Sequence, residues 1–156
     1  MKKIAIAAGK AALGSSYPAP YDEPCRQRMR FRLGDAAGLT QFGVNLLRLP
    51  PGVWSSQRHW HAAEDEFVYV LEGEVVLVTD AGEEVLRTGD CAGFKAGDAD
   101  GHHLQNRTNA DVVLLEIGSR NPESDSVDYP DIDLAIRAGV RAFLRRDGTP
   151  YPPRSR

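Results

Sequence analysis

The apolar positions of this chain come in short blocks divided by turn residues. EFVYVLE (66–72) and EVVLVT (74–79) flank Gly73, a pattern that predicts two strands joined by a hairpin bend. Further strands are predicted at MRFRL (29–33), QFGVNLLRL (41–49), EEVLR (83–87), CAGF (91–94), HHLQN (102–106) and VVLLEIG (112–118). The stretches between them carry glycine, proline and aspartate: GDAAGLT, PPG, DAG, TGD and GDADG. Many short strands at this spacing predict a β-sandwich or barrel. Alternation along EFVYVLE puts Glu66, Val68 and Val70 on one face and Phe67, Tyr69 and Leu71 on the other.

The two ends read differently. Residues 1–28 are turn-rich and predict an extended arm, and 119–156 form a C-terminal extension to the strand-rich region 29–118. In DIDLAIRAGVRAFL (131–144) the residues Ile132, Ile136, Val140 and Phe143 fall at helical spacing, so a short helix or irregular docking segment is favoured. Ile132, Leu134 and Ile136 also alternate, so a β arm fits too, and Gly139 weakens the helix.

Composition narrows the functional classes. Fifteen glycines and ten prolines in 156 residues suit an all-β fold, and the net charge of −3 offers no electrostatic footprint for nucleic acid or an anionic membrane surface. No apolar run is long enough to span a bilayer. The apolar stretch after Lys2 and Lys3 ends at Lys10, too short for a secretory signal, so a cytoplasmic protein is expected. Cys25 and Cys91 then read as two free thiols.

The chemistry lies in RHWHAAEDEF. All four histidines, His59, His61, His102 and His103, fall in two short stretches at predicted strand starts. His59 and His61 share a strand face, and Glu66 follows a tight turn, so two imidazoles and a carboxylate could meet one ion. A lone HxH can be accidental, and an acidic run such as Glu64, Asp65 and Glu66 is commonly a solvated turn. The confinement of every histidine to two strand starts favours the metal site. Of the adjacent pair His102 and His103, only one can face the same interior. Trp54 and Trp60 read as packing residues.

Two spaced motifs now stand out. Gly52, His59, His61, Glu66 and Gly73 give HxH-x4-E-x6-G, with Gly52 one residue further from His59 than in the pattern they resemble. Gly89, Gly97, His102 and Asn106 resemble G-x5-PxG-x2-H-x3-N, with Lys95 in place of the proline and two extra residues between Gly97 and His102. These are the two motifs of the cupin superfamily, which the chain resembles over roughly 29–118. The resemblance implies a double-stranded β-helix (jelly-roll) barrel with N- and C-terminal arms. It also implies one divalent ion, of Fe, Mn, Zn, Ni or Cu, held by His59, His61, Glu66 and His102. The H-x3-N spacing selects His102, leaving His103 structural or on the surface.

Strand parity then adds Gln57 and Asn106 as candidates for supporting the ligands, in a mostly apolar pocket suited to a small-molecule ligand. The resemblance implies a metal-dependent enzyme acting on a small oxygen-rich metabolite by dioxygenase, isomerase or lyase chemistry. The alternative is a non-catalytic binding protein serving as a sensor or accessory. The apolar strands promise a core that does not depend on the ion. A jelly roll has one interior, so Phe67, Tyr69 and Leu71 must lie outside it. An arm or a second subunit should cover them, and a homodimer is expected.

Overall fold

The computed structural model describes residues 3, 4, 6 and 11–152. The alternation in the sequence is realised there as antiparallel strands. In chain order these are β1 (Ala12–Leu13), β2 (Met29–Arg32), β3 (Phe42–Leu49), β4 (Trp60–His61), β5 (Glu66–Glu72), β6 (Glu74–Thr79), β7 (Gly82–Arg87), β8 (Cys91–Phe94), β9 (His103–Gln105), β10 (Val112–Ser119), β11 (Val127–Tyr129) and β12 (Leu134–Ile136). One sheet has the order β1-β2-β3-β10-β5-β8. Facing it are two smaller sheets, β7-β6-β9 and β12-β11-β4. Isolated bridges Trp54↔Gln105 and His59↔His102 stitch these into one ragged layer. This nearly all-β, two-layered arrangement is a double-stranded β-helix. Among the described residues its ladders do not close into a continuous barrel.

Between the layers lies the main core, including Leu47, Val70, Val75, Val112 and Leu114, all fully buried. These are the inward positions that alternation predicts. The GDAAGLT stretch, expected as a turn, begins within a one-turn helix at Leu33–Ala36. Gly73 is not a hairpin bend. It is the corner at which the chain leaves the large sheet for the facing layer, since β5 and β6 belong to different sheets. Its φ is +89°, and a Cβ there would sit 3.1 Å from both the Asp111 carbonyl oxygen and Val112 Cγ2. Only glycine meets both demands without strain.

The arms form a second core. Tyr17 and Cys25 from the first pack with Val127, Tyr129 and Leu134 from the second. No helix forms in 131–144. Leu134–Ile136 is a strand paired to β11, and Leu144 bridges both Ala135 and Pro150. The strand wins because pairing with β11 and the bridge to Leu144 bury Leu134 and Ala135 completely, while Gly139 takes a φ of +69° and breaks any helical run. Cys25 is buried and Cys91 exposed, and both are free thiols. Burial pushes the Cys25 thiol up to about 11, so it carries no thiolate near neutrality. No helix of the described residues is long and apolar enough to cross a membrane.

Candidate metal centre

The site forms where the two cores meet. His59 and His102 exchange backbone hydrogen bonds, His59 N–H to His102 O at 3.2 Å and His102 N–H to His59 O at 2.9 Å. That bridge places their imidazoles side by side, with centroids 5.0 Å apart. His61 follows on β4 and faces the same way. Glu66 opens β5 on the opposite layer, between Gly118 of β10 and Phe94 of β8. Its Oε2 lies 2.9 Å from His102 Nε2, 3.4 Å from His59 Nε2 and 3.6 Å from His61 Nε2. The four predicted ligand residues are therefore brought together around one carboxylate oxygen. Nitrogen or oxygen atoms of His59, His61 and Glu66 all lie within 4.8 Å of one another, a group able to hold an ion.

The outer nitrogens decide what the inner ones offer. His59 Nδ1–H donates to the Gln57 carbonyl at 2.9 Å, and His61 Nδ1–H donates to Asp125 Oδ2 at 2.6 Å. This assignment follows from the partners, which are acceptors only. Both neutral rings then aim an Nε2 lone pair at a carboxylate oxygen, and acceptors facing one another in a half-buried site require a cation between or upon them. A proton is one solution. Burial opposes charging His59, but the Glu66 carboxylate outweighs it and holds that imidazole above its usual range. Burial likewise favours a neutral Glu66, yet its bonds to His102 and His59 and the charges of His59 and His61 hold it well below the carboxylate range. A divalent ion is the other solution, and the donor set of imidazole nitrogens and one carboxylate fits it. Burial keeps His102 below the usual imidazole range, so its neutral form is favoured.

Second contacts hold the rings. Phe94 lies flat on His102, centroids 3.5 Å apart at 1°, and Tyr129 stacks on His59 at 5.7 Å. Asp125 is 7% exposed and also accepts the Ala63 N–H at 2.8 Å. It and Tyr129 come from the C-terminal extension, so that segment completes the site. Nothing local in the sequence marks Asp125. Glu116 pairs with Arg30 at 3.0 Å inside the large sheet. Asp125→Ala should weaken the ion's affinity by roughly 10–100-fold, as measured by competition against a chromophoric chelator. Unchanged affinity would reduce Asp125 to a clamp on the Ala63 turn.

The remaining expectations divide. His103 points to the other side of β9: Nδ1–H donates to the Ser56 carbonyl at 3.1 Å, Nε2 accepts from Gln105 at 2.9 Å, and Trp54 packs edge-on at 4.7 Å. Burial lowers it to about 4, so it is a neutral structural residue, buried and not on the surface. Gln57 supports His59 through its backbone carbonyl, while its side chain donates to Tyr21 O in the N-terminal arm. Asn106 does not serve the site. Its amide donates to Leu49 O and Ala110 O and accepts from Thr108, tying down the loop before β10. Trp54 is packing, as expected, but Trp60 forms part of the wall of a cavity of about 260 Å³ that opens beside His61, Glu66 and His102.

Comparison with known proteins places this geometry. A family model described as cupin domain matches residues 45–118. A sugar phosphate isomerase from the cupin superfamily of Silicibacter pomeroyi shares 45% identity, with 97% of each chain covered and a TM-score of 0.89. A provisionally assigned sugar phosphate isomerase from Acidithiobacillus ferrooxidans shares 32% identity over 82% of each chain, with a TM-score of 0.71. A predicted oxalate decarboxylase from Thermotoga maritima, at 20% identity and TM-score 0.62, covers 77% of this chain and 100% of its own, and shares the fold. Among curated proteins none matches the sequence.

Proposed function

Because the chain belongs to the cupin superfamily, we propose that it is a divalent-metal-dependent isomerase acting on a small sugar phosphate. The observation that carries this reading is the convergence of three imidazole Nε2 atoms on Glu66 Oε2 beside an open cavity of about 260 Å³. The similarity of almost the whole chain to a sugar phosphate isomerase supports isomerase chemistry over the dioxygenase and lyase alternatives.

An ion bound there would act as a Lewis acid, polarising a substrate carbonyl. The chain's own residues do the rest. His59 and His61 keep their Nε2 atoms aimed into the site because Gln57 O and Asp125 hold their Nδ1 protons. Phe94 and Leu77 give the cavity an apolar stretch of wall. Glu64 lines the cavity and lies with His61 and Asp125 in a second close cluster. Its carboxylate is assigned the proton transfer between adjacent carbons that interconverts a hydroxyaldehyde and a hydroxyketone.

The test is incubation of protein loaded with Mn(II), Fe(II) or Zn(II) with aldose and ketose phosphates in D2O. Interconversion with deuterium entering at the carbon next to the carbonyl is expected, and chelator should abolish it. Tight binding of those compounds without any turnover would overturn the isomerase and favour the non-catalytic sensor or accessory protein.

A further inference from the structure

Lys95 stands where the second motif carries proline, and it is the only lysine beyond residue 10. The departure has a structural consequence. Proline would offer an inert ring at the end of β8, whereas Lys95 lines the same cavity as His61, Glu66 and His102. The turn that carries it is pinned to the site: Gly97 N–H donates to His61 O at 2.9 Å, and Ala96 N–H to Asp65 Oδ1 at 2.8 Å. Lys95 makes no ion pair among the described residues. The nearby cation Arg58 is already committed to Asp80 and Asp131. Among the described residues, Lys95 is thus the one uncommitted cation on the cavity wall.

Apart from the candidate ligands, the other charged side chains on that wall are acidic. Glu64, Asp98 and Asp100 line it, and one Asp100 oxygen accepts the Asp80 N–H while one Asp98 oxygen accepts the Asp100 N–H. Carboxylates of this kind repel an anion but accept hydrogen bonds from hydroxyl groups. A wall of several such acceptors and a single ammonium suits a polyhydroxylated molecule with one anionic end. Resting on the isomerase reading of this cavity, we infer that Lys95 binds the anionic group of the substrate, a phosphate or carboxylate, and so selects charged sugars over neutral ones. Lysine serves here as a point charge that tolerates either anion.

Calorimetric titration of the metal-loaded protein with fructose 6-phosphate, gluconate and fructose tests this. Wild type should bind at least one of the two anionic sugars more tightly than fructose, and which one it is separates phosphate from carboxylate. Lys95→Met should weaken that binding by roughly 10- to 100-fold while leaving fructose unchanged, and Lys95→Arg should restore most of it. An equal preference for the anion in Lys95→Met, or no preference in the wild type, would overturn the assignment. Metal content measured on the same samples shows whether the variant has kept its site. Anion preference that depends on Lys95 in a protein without turnover would sink the isomerase and leave Lys95's role standing.

Discussion

A His61→Ala protein is expected to purify without a stoichiometric divalent ion, whereas wild type isolated without chelators should carry one ion per chain. His61 contributes more than one donor of four. Its Nδ1–H bond to Asp125 is the link between the ion and the C-terminal extension, so truncation also leaves a buried carboxylate without its imidazole. The variant should still fold, because Leu47, Val70, Val75, Val112 and Leu114 make a core to which the ion adds nothing. A ligand present at 100 times its dissociation constant stabilises the native state by about 2.7 kcal/mol, and that increment is what the variant should lose. Its melting temperature should therefore fall below that of chelated wild type by what the unpaired Asp125 costs. His103→Ala supplies the contrast, since its ring bonds to Ser56 and Gln105 and faces Trp54. It should lose stability and keep its metal. Retention of one tightly bound ion by His61→Ala would refute the ligand set, and loss of metal in His103→Ala with retention in His102→Ala would mean that the wrong neighbour had been chosen.

What could be read ahead of the structure was whatever depends on local period. HxH on a strand puts two rings on one face whatever the fold does, and Glu66 lies only five residues on. Motif spacing selects His102 over His103, and the backbone bridge from His59 to His102 sets those two rings side by side. The two extra residues after Gly97 are absorbed in the turn and do not shift that register. The illegible parts depend on distant pairing. Asp125 lies 64 residues from the ring it orients, and it arrives because β11 pairs with β4, a register that no spacing encodes. Parity turns Gln57 and Asn106 inward, but it says nothing of what they find there. Both amides were claimed by backbone carbonyls, of Tyr21 in one case and of Leu49 and Ala110 in the other. The strand in 131–144 is hard to read for a related reason, being part of one of the two arms. Each lacks a core of its own, and a short alternating segment cannot reveal that its partner is the opposite end of the chain.

Tyr69→Lys is expected to turn a dimer into a monomer. The folded arms sharpen the problem posed by the apolar stripe on β5. Their described residues pack on each other and do not cover it, leaving Phe67 40%, Tyr69 37% and Leu71 43% exposed. The stripe is part of a wider face. Strand register lines up Cys91, Tyr69, Leu115, Leu46 and Phe31 across five neighbouring strands, and Phe67, Ile117 and Val44 beside them. Strands about 4.8 Å apart make that row about 20 Å wide. An apolar face of this breadth is unusual on a monomer. We propose that a second copy of the chain covers it, since a flat sheet face is self-complementary about a two-fold axis and needs no other partner. A lysine at the centre of the row would bury two ammonium groups in one apolar interface, where each loses its hydration without gaining a counter-ion. Sedimentation at micromolar concentration should give wild type twice the 17.1 kDa chain mass and the variant a single chain mass. Because Tyr69 points away from the core, the variant should keep its fold and its metal. A wild type that sediments as a monomer would eliminate the second copy as the cover for this face.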